Sequence, residues 1–483
     1  MKTSKTLGIC FSIFTMMLVM LATASWAGEE YRVSFSELWK SKAQFDDPRP
    51  FLKEGPLAYK NFLSPDVYAS LTYDVEKMKK TWAEVVGFSA PDEVGKIAPE
   101  IKPGTYSYKD KEKYPGLKEL MIPDWYERFK PGAPPFAANV PEIKVVPTRQ
   151  YYWALPIAEA TNKYAGKTKL DDQGYINADS YVTGYPFPMP SGQFKAQQIM
   201  YNWENNYLMG ESYYFMQTST GISKNLKIDN DKVCELWQLR LNGRVLMKPY
   251  GAFDARAKLR GEYKGDLLRY LAPRDNYGNA FSIVSYLDRD TYDFFLVYVN
   301  ALRRIRKMST TDTQDSVAGS DAIYEDKAGF AQKLSPNRYP YKYKLIAERE
   351  YLVPIATLDG AQYLTSPERY LELRNMDFER RPTYVIELTQ MDKNFVYGKR
   401  ILYIDKETFV LYHAENFDQK GRLYRTLDST LAFIPEMGMF VPVIVINHDR
   451  IETHSSVGGF YVLPAPFVGR DHVNLKAVVS KGK

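Results

Sequence analysis

The feature that most constrains this chain is a succession of strand-like runs joined by turns too short for a crossover. "TYVIELTQ" (383–390) alternates, with Tyr384, Ile386 and Leu388 on one face and Thr383, Glu387 and Thr389 mostly on the other. "KRILYIDKETFVLYHAENFDQKGRLYRTL" (399–427) reads as three more strands between short polar turns, and "VPVIVINHDRIETH" (441–454) as another. Upstream, "CELWQLRLNGRVLMKPY" (234–250) carries Asn242-Gly243 between two strand-like runs, a strong hairpin signal. "NAFSIVSYLDRDTYDFFLVYV" (279–299) reads as a second hairpin around Asp288 to Thr291. Parallel neighbours need about a dozen residues or more between them. The C-terminal half is therefore predicted to be an antiparallel meander, long enough to curl strongly or form an open barrel.

Two helices are expected to accompany it. Ser64-Pro65-Asp66 is a start signal, and Val67, Leu71, Val75, Met78, Trp82 and Val85 recur at steps of three and four up to Gly87. After the Pro-punctuated loop "GYPFPMPSG" (184–192), Ala196, Ile199, Met200, Trp203 and Tyr207 share a helical face that ends at Gly210. "PGAPPFAANVPEIKVVP" (131–147) holds too much Pro for a helix or a central strand. The expected division is a leader at 1–27, a Pro-rich and helical region at 28–150, and the curved sheet with its covering helices at 151–483.

The leader has Lys2 and Lys5, an apolar stretch from Leu7 to about Ala22, and Ser25-Trp26-Ala27 as a cleavage site. That pattern is expected of a cleaved secretory signal, with the periplasm as destination. Cleavage would remove Cys10 and leave Cys234, so the exported chain would be held by its core rather than by a disulfide. It would also lower the formal charge from +6 to +4, because the leader carries two lysines and no acid. So mild a balance, in an exported chain, argues against a nucleic-acid partner. The 38 tyrosines suit a β-rich protein, and equally an amphipathic binding surface.

The usual chemical signatures are missing. There is no G-x-S-x-G elbow, P-loop, GxGxxG, C-x-x-C or H-E-x-x-H in the chain. In "HDRIETH" a continuous strand would place His448, Arg450, Glu452 and His454 on one face. His448 and His454 would then stand roughly 20 Å apart, too far to share one ion, so a polar strand face is expected and no metal or cofactor. "RRIRKMSTTDTQDSVAGSDAIYED" (303–326) changes sign halfway, from Arg303, Arg304, Arg306 and Lys307 to Asp312, Asp315, Asp321, Glu325 and Asp326. Its acids lack the EF-hand order. The segment reads as a basic strand end, a polar turn and a helix capped at Ser320 or Asp321, with Arg304 or Arg306 paired to Asp321 or Asp326 across the turn.

This same segment, an R-R-x-R followed by acidic polar residues, G-x-D and Y-E-D, resembles the bacterial outer-membrane lipoprotein-sorting-like proteins. "LYIDKETFVLYHAENFDQKGRLYRT" agrees, with turns at Ile404-Asp405-Lys406 and at Asp418 to Arg422. "YPFPMPSG" followed by "KAQQIMYNW" is similar to the family called domain of unknown function 1329. The resemblance implies an α+β fold like that of the carriers LolA and LolB. Such a fold is a large, curved, half-open antiparallel sheet with helices over its concave face, here with a long irregular N-terminal region.

In those carriers the concave face binds acyl chains. The resemblance thus implies a non-enzymatic periplasmic binder or carrier of a hydrophobic ligand, a lipid or acyl chain, associated with an outer-membrane protein or an exporter. The alternative is an assembly or scaffold partner of such a protein with no small-molecule cargo. Candidate lining residues for a ligand are Trp203 and Tyr207 from the helix and Tyr384, Ile386 and Leu388 from the strand.

Overall fold

The computed structural model describes residues 59–131, 139–225, 227–308, 314–317, 319–356 and 376–477. The expected leader and Asp312 lie outside the described residues. The meander forms one 15-stranded sheet. In chain order its strands are β1 (Gly104–Ser107), β2 (Glu142–Val146), β3 (Ser212–Ile222) and β4 (Ile228–Arg240). A small separate pair follows, β5 (Asn242–Arg244) and β6 (Gly251–Ala252). The sheet resumes with β7 (Glu262–Ala272), β8 (Ala280–Tyr286), β9 (Phe294–Val299) and β10 (Arg304–Lys307). Last come β11 (Tyr341–Ala356), β12 (Met376–Gln390), β13 (Lys399–Asp405), β14 (Leu411–Phe417), β15 (Leu423–Ile434), β16 (Met439–Asp449) and β17 (His454–Pro464).

Across the sheet the order is β1-β2-β12-β13-β14-β15-β16-β17-β3-β4-β7-β8-β9-β10, with β11 beside β12. Pairing is antiparallel except where β2 meets β12 and where Ile355 of β11 bridges to Leu431 of β15. That bridge rolls the β11–β15 half onto itself. The other half stays open and ends at β10. The sheet is therefore strongly curved but not a closed barrel. Pro442 sits within central β16 because the β15–β16 register shifts beside it, between Thr430 and Leu431; a bulge tolerates the missing N–H.

The N-terminal region packs into the rolled half. Trp82, Trp125 and Trp153 are fully buried. Trp82 and Trp153 donate their indole N–H to the carbonyls of Glu407 and Thr408, at 2.8 and 3.2 Å. Trp125 meets Phe378 edge to face. A second device is ionic: the buried guanidinium of Arg381 reaches Asp405 at 2.8 Å, Glu379 at 3.2 Å and Glu407 at 2.6 Å. Glu407 also accepts from the backbone N–H groups of Ala90 and Tyr151, so the cluster ties the N-terminal region to the sheet.

Several local expectations need correction. The first helix is two, Pro65–Ser70 and Val75–Val86. Ser64 and Gly87 cap it as expected, but Asp74 caps a new start at the Lys77 N–H, 2.7 Å away, and Tyr73 is drawn to the Glu436 carbonyl. The second helix, Lys195–Glu204, packs against β11 and stops before Tyr207 and Gly210. Asn242-Gly243 does not turn a two-residue hairpin. The Asn242 amide donates to the carbonyls of Ala257 and Glu262, and Gly243 at φ 71° accepts from Thr183, so β4 pairs with β3 and β7 instead. The hairpin around Asp288 forms as expected, as β8 and β9.

"HDRIETH" is not one strand. Asp449 ends β16, His454 begins β17, and Asp449 lies opposite His454 across the turn. The sign-changing segment also departs from expectation. Its basic half is the edge strand β10, and among the described residues neither Arg304 nor Arg306 makes an ion pair. Asp321 and Asp326 pair elsewhere, and the short helix begins at Tyr324 rather than at Ser320 or Asp321.

Candidate functional site

The open half of the sheet presents one apolar face. Tyr213, Phe215, Gln217 and Ser219 alternate along β3, Lys232, Cys234 and Leu236 along β4, and Leu268 and Tyr270 along β7. Ser456, Gly458 and Phe460 do the same on β17. A period of two puts each row on one side of its strand. These rows, with Phe281, Leu427 and Val445, line a chamber of about 200 Å³. Its far wall is the segment that follows the polar turn, with Val317, Ala322, Ile323 and Tyr324 facing in.

That segment is a strap held at both ends by its acids. The Asp321 N–H donates to Ser456 Oγ at 3.0 Å, and the Asp321 carboxylate takes the Ser456 hydroxyl at 2.7 Å and His454 Nδ1 at 2.6 Å. At the other end Asp326 accepts from Arg400 at 2.7 Å, from the Tyr397 hydroxyl at 2.9 Å and from the Ile323 N–H at 2.9 Å. Glu325 accepts from the Tyr341 hydroxyl. Arg400 is fully buried, so this pair is desolvated, and removing either partner would strand a charge. Burial pushes the Glu325 carboxyl up to about 7. The strap closes at Gly329, where φ is 98° and a Cβ would come within 2.6 Å of Leu411; only glycine fits there.

A second chamber of about 180 Å³ abuts the first. Leu208, Met209, Tyr213, Tyr324, Lys327 and Ala328 border both. Its remaining lining mixes polar side chains with Trp203, Ile283, Phe330 and Ala331, and its charged groups are Glu204, Lys264, Asp266, Asp293, Lys327 and Lys333. Burial raises Glu204 to about 7 and lowers Lys264 to about 7, the latter helped by the Arg240 charge.

The sequence-stated candidates divide. Trp203 lines the second chamber and donates its indole N–H to the Phe330 carbonyl at 2.8 Å. Tyr207 is buried under the Arg240 guanidinium, 4.0 Å from its ring, and borders a separate void of about 20 Å³, room for about one water. Tyr384, Ile386 and Leu388 are buried on β12 and line neither chamber. Phe215, Leu236 and Phe460 were not singled out, although the tapering row Tyr213, Phe215, Gln217, Ser219 was a visible signal.

The histidines form no exposed site. His448 Nδ1 lies 2.8 Å from Ser455 Oγ, and its Nε2 lies 3.4 Å from Asp428. The succession resembles a catalytic triad. Ser455, however, is 2% exposed and borders neither chamber. Asp428 is instead the centre of a buried network, with Arg128 at 2.8 Å and His413 at 2.7 Å. Among the described residues no group of three or more His, Cys, Asp or Glu is placed to hold a metal ion. No helix among them is long and apolar enough to cross a membrane.

No curated protein matches the sequence. Among solved structures the chain is similar to a DUF1329 family protein from Desulfovibrio piger, at 17% identity and a TM-score of 0.39, over 55% of this chain and 91% of that one. It is also similar to a LolA superfamily protein from Nitrosomonas europaea, at 15% identity and a TM-score of 0.34, over 55% of this chain and 90% of that one. Residues 126–462, more than two thirds of the sequence, match the family described as "Protein of unknown function (DUF1329)". The chain belongs to the DUF1329 family.

Proposed function

We propose that the protein is a non-enzymatic periplasmic carrier that encloses a hydrophobic ligand between the open half of the sheet and the strap. The observation that carries this reading is the roughly 200 Å³ chamber lined by apolar rows and roofed by Val317 and residues 320–328. Dry apolar cavities of about 150 Å³ take up a molecule the size of benzene. A chamber of this volume therefore suits one ring or one short alkyl tail, and a two-tailed lipid would need the strap to lift. Each buried methylene contributes about 0.8 kcal/mol, so six give roughly 5 kcal/mol before ordering costs. Such a carrier would hand its cargo to an outer-membrane protein or an exporter. The scaffold reading needs no chamber, and the chamber favours carriage over it.

The test is uptake of N-phenyl-1-naphthylamine, a neutral apolar dye, by the mature chain, followed by native mass spectrometry of the protein as purified. Saturable dye fluorescence is expected, abolished by Leu236→Trp, which fills the chamber from β4. A protein that arrives without lipid-like mass and takes up no dye would sink the carrier reading and leave the scaffold reading standing.

A further inference from the structure

We infer that the second chamber is a headgroup site, and that the ligand is a single-tailed amphiphile whose anionic head, a carboxylate or phosphate, is set against Lys264. This rests on the carrier reading and adds the chemical class of the cargo. The two chambers lie side by side across Leu208, Met209, Tyr213, Tyr324, Lys327 and Ala328, so a ligand passing between these side chains would have its tail in the first and its other end in the second.

The charges there are unequally spent. Asp266 is taken by Lys327 at 2.9 Å and Asp293 by Lys333 at 3.5 Å. Lys333 also donates to the carbonyls of Tyr286, Asp288 and Thr291. Glu204 accepts from the Leu334 N–H at 3.2 Å, and burial holds its proton to near neutral pH. Among the described residues Lys264 has no carboxylate within ion-pair distance; its ammonium lies 4.9 Å from the Tyr263 ring. Behind it stands Arg240, fully buried, with its guanidinium 4.0 Å from the Tyr207 ring and 5.1 Å from that of Tyr263. Lys264 is thus a lining cation without a counter-ion at ion-pair distance, and burial, helped by the Arg240 charge, lowers its ammonium to about 7. An anionic head supplies that counter-ion. A cationic head would meet Lys264 and Arg240, and would share with Lys327 and Lys333 the carboxylates of Asp266 and Asp293, each of which keeps one buried oxygen without a hydrogen bond.

The experiment displaces the bound dye from the mature chain with decanoate, decyl phosphate, decanol and decyltrimethylammonium, each below its micelle concentration. Both anions are expected to compete at concentrations at least about tenfold lower than decanol, a charge-assisted hydrogen bond being worth that much. Whichever anion is tighter identifies the head as carboxylate or phosphate. Lys264→Met should remove the anion advantage and leave decanol unchanged; should that variant fail to fold, the comparison on the unaltered chain decides. Equal displacement by decanol and the anions would overturn the headgroup site while leaving carriage intact. Preference for the ammonium compound would reverse its sign and overturn it too. Absence of any dye binding removes both readings.

Discussion

The two halves of the sheet are built alike and covered differently. In the rolled half, the second half of β11 and most of β12 to β15 are buried, and an N-terminal region brings Trp82, Trp125, Tyr151 and Trp153 against them, with Trp125 on Phe378 and Tyr151 and Trp153 on Phe440 of β16. In the open half, β3, β4, β7 and β17 present rows that are apolar at Tyr213, Phe215, Leu236, Leu268 and Phe460, but a single strap faces them. The first half is filled and the second is hollow. Whether a curved sheet becomes core or container is thus decided by what the rest of the chain lays against it. A container results here because the thick insert sits at one end only.

The sharpest way to break this contrast is to remove one large side chain from each half. Trp82→Ala is expected to cost about 3–5 kcal/mol, since the indole is fully buried and its N–H serves the Glu407 carbonyl. Phe215→Ala should cost about half as much, because one side of that ring already faces a void and makes fewer contacts to lose. Urea unfolding of both variants gives the comparison. Equal losses would mean that the chamber is packed in solution and the contrast is wrong.

A smaller effect separates the ionic devices of the two halves. Asp326→Asn leaves the buried Arg400 without its closest carboxylate, a loss of about 3 kcal/mol felt first in the strap. Because a strap opens locally before the domain unfolds, the loss should appear as faster hydrogen exchange over 319–329 and faster dye entry, with little change in the urea midpoint. Glu379→Gln in the filled half leaves Arg381 with Asp405 and Glu407 and should alter neither exchange in the strap nor dye entry. Identical dye kinetics in the two variants would show that the strap does not control access.

Much of the fold was legible because it is local. Alternation in "TYVIELTQ", the turns at 405 and 418–422, and the helix start at Ser64 and stop at Gly87 each depend on neighbours in sequence. What was not legible depends on distant partners. Ser455 of β17 lies opposite Ile222 of β3, and no local pattern announces that pairing. Asp74 breaks the first helix partly because Tyr73 finds Glu436. The turn inside "HDRIETH" exists because Asp449 caps it, accepting from the N–H groups of Ile451 and Glu452 at 3.0 and 2.8 Å. The site suffers the same limit. An apolar row on a strand looks identical whether a tryptophan or an empty volume lies opposite, so Tyr384, Ile386 and Leu388 were as eligible as Phe215 and Leu236. The strap's acids were visible, but their partners Arg400, Tyr341 and His454 lie far along the chain.

The smallest expected effect is one of pH, and it distinguishes the halves by window. Burial raises Glu325 from 4.5 to about 7, so the folded strap keeps a proton that the unfolded chain releases. Its contribution is complete below about pH 4.5 and is lost as pH rises through 7. Burial alone would lower His413 in the filled half. Its hydrogen bond to Asp428, with Glu415 and Asp124 nearby, outweighs burial and takes it from 6.5 up to about 9. That contribution is complete below pH 6.5 and is lost as pH rises through 9. Glu204 and Glu407 are also raised to about 7, so the urea midpoint mixes several groups in the lower window. Dye exchange in Glu325→Gln isolates the strap. The unaltered chain should release dye a few-fold faster at pH 7.5 than at pH 5, and the variant, neutral throughout, should lose most of that difference. A pH dependence unchanged by Glu325→Gln would assign it to Glu204 or Lys264 in the second chamber instead, and the strap would then be a fixed wall of the hollow half.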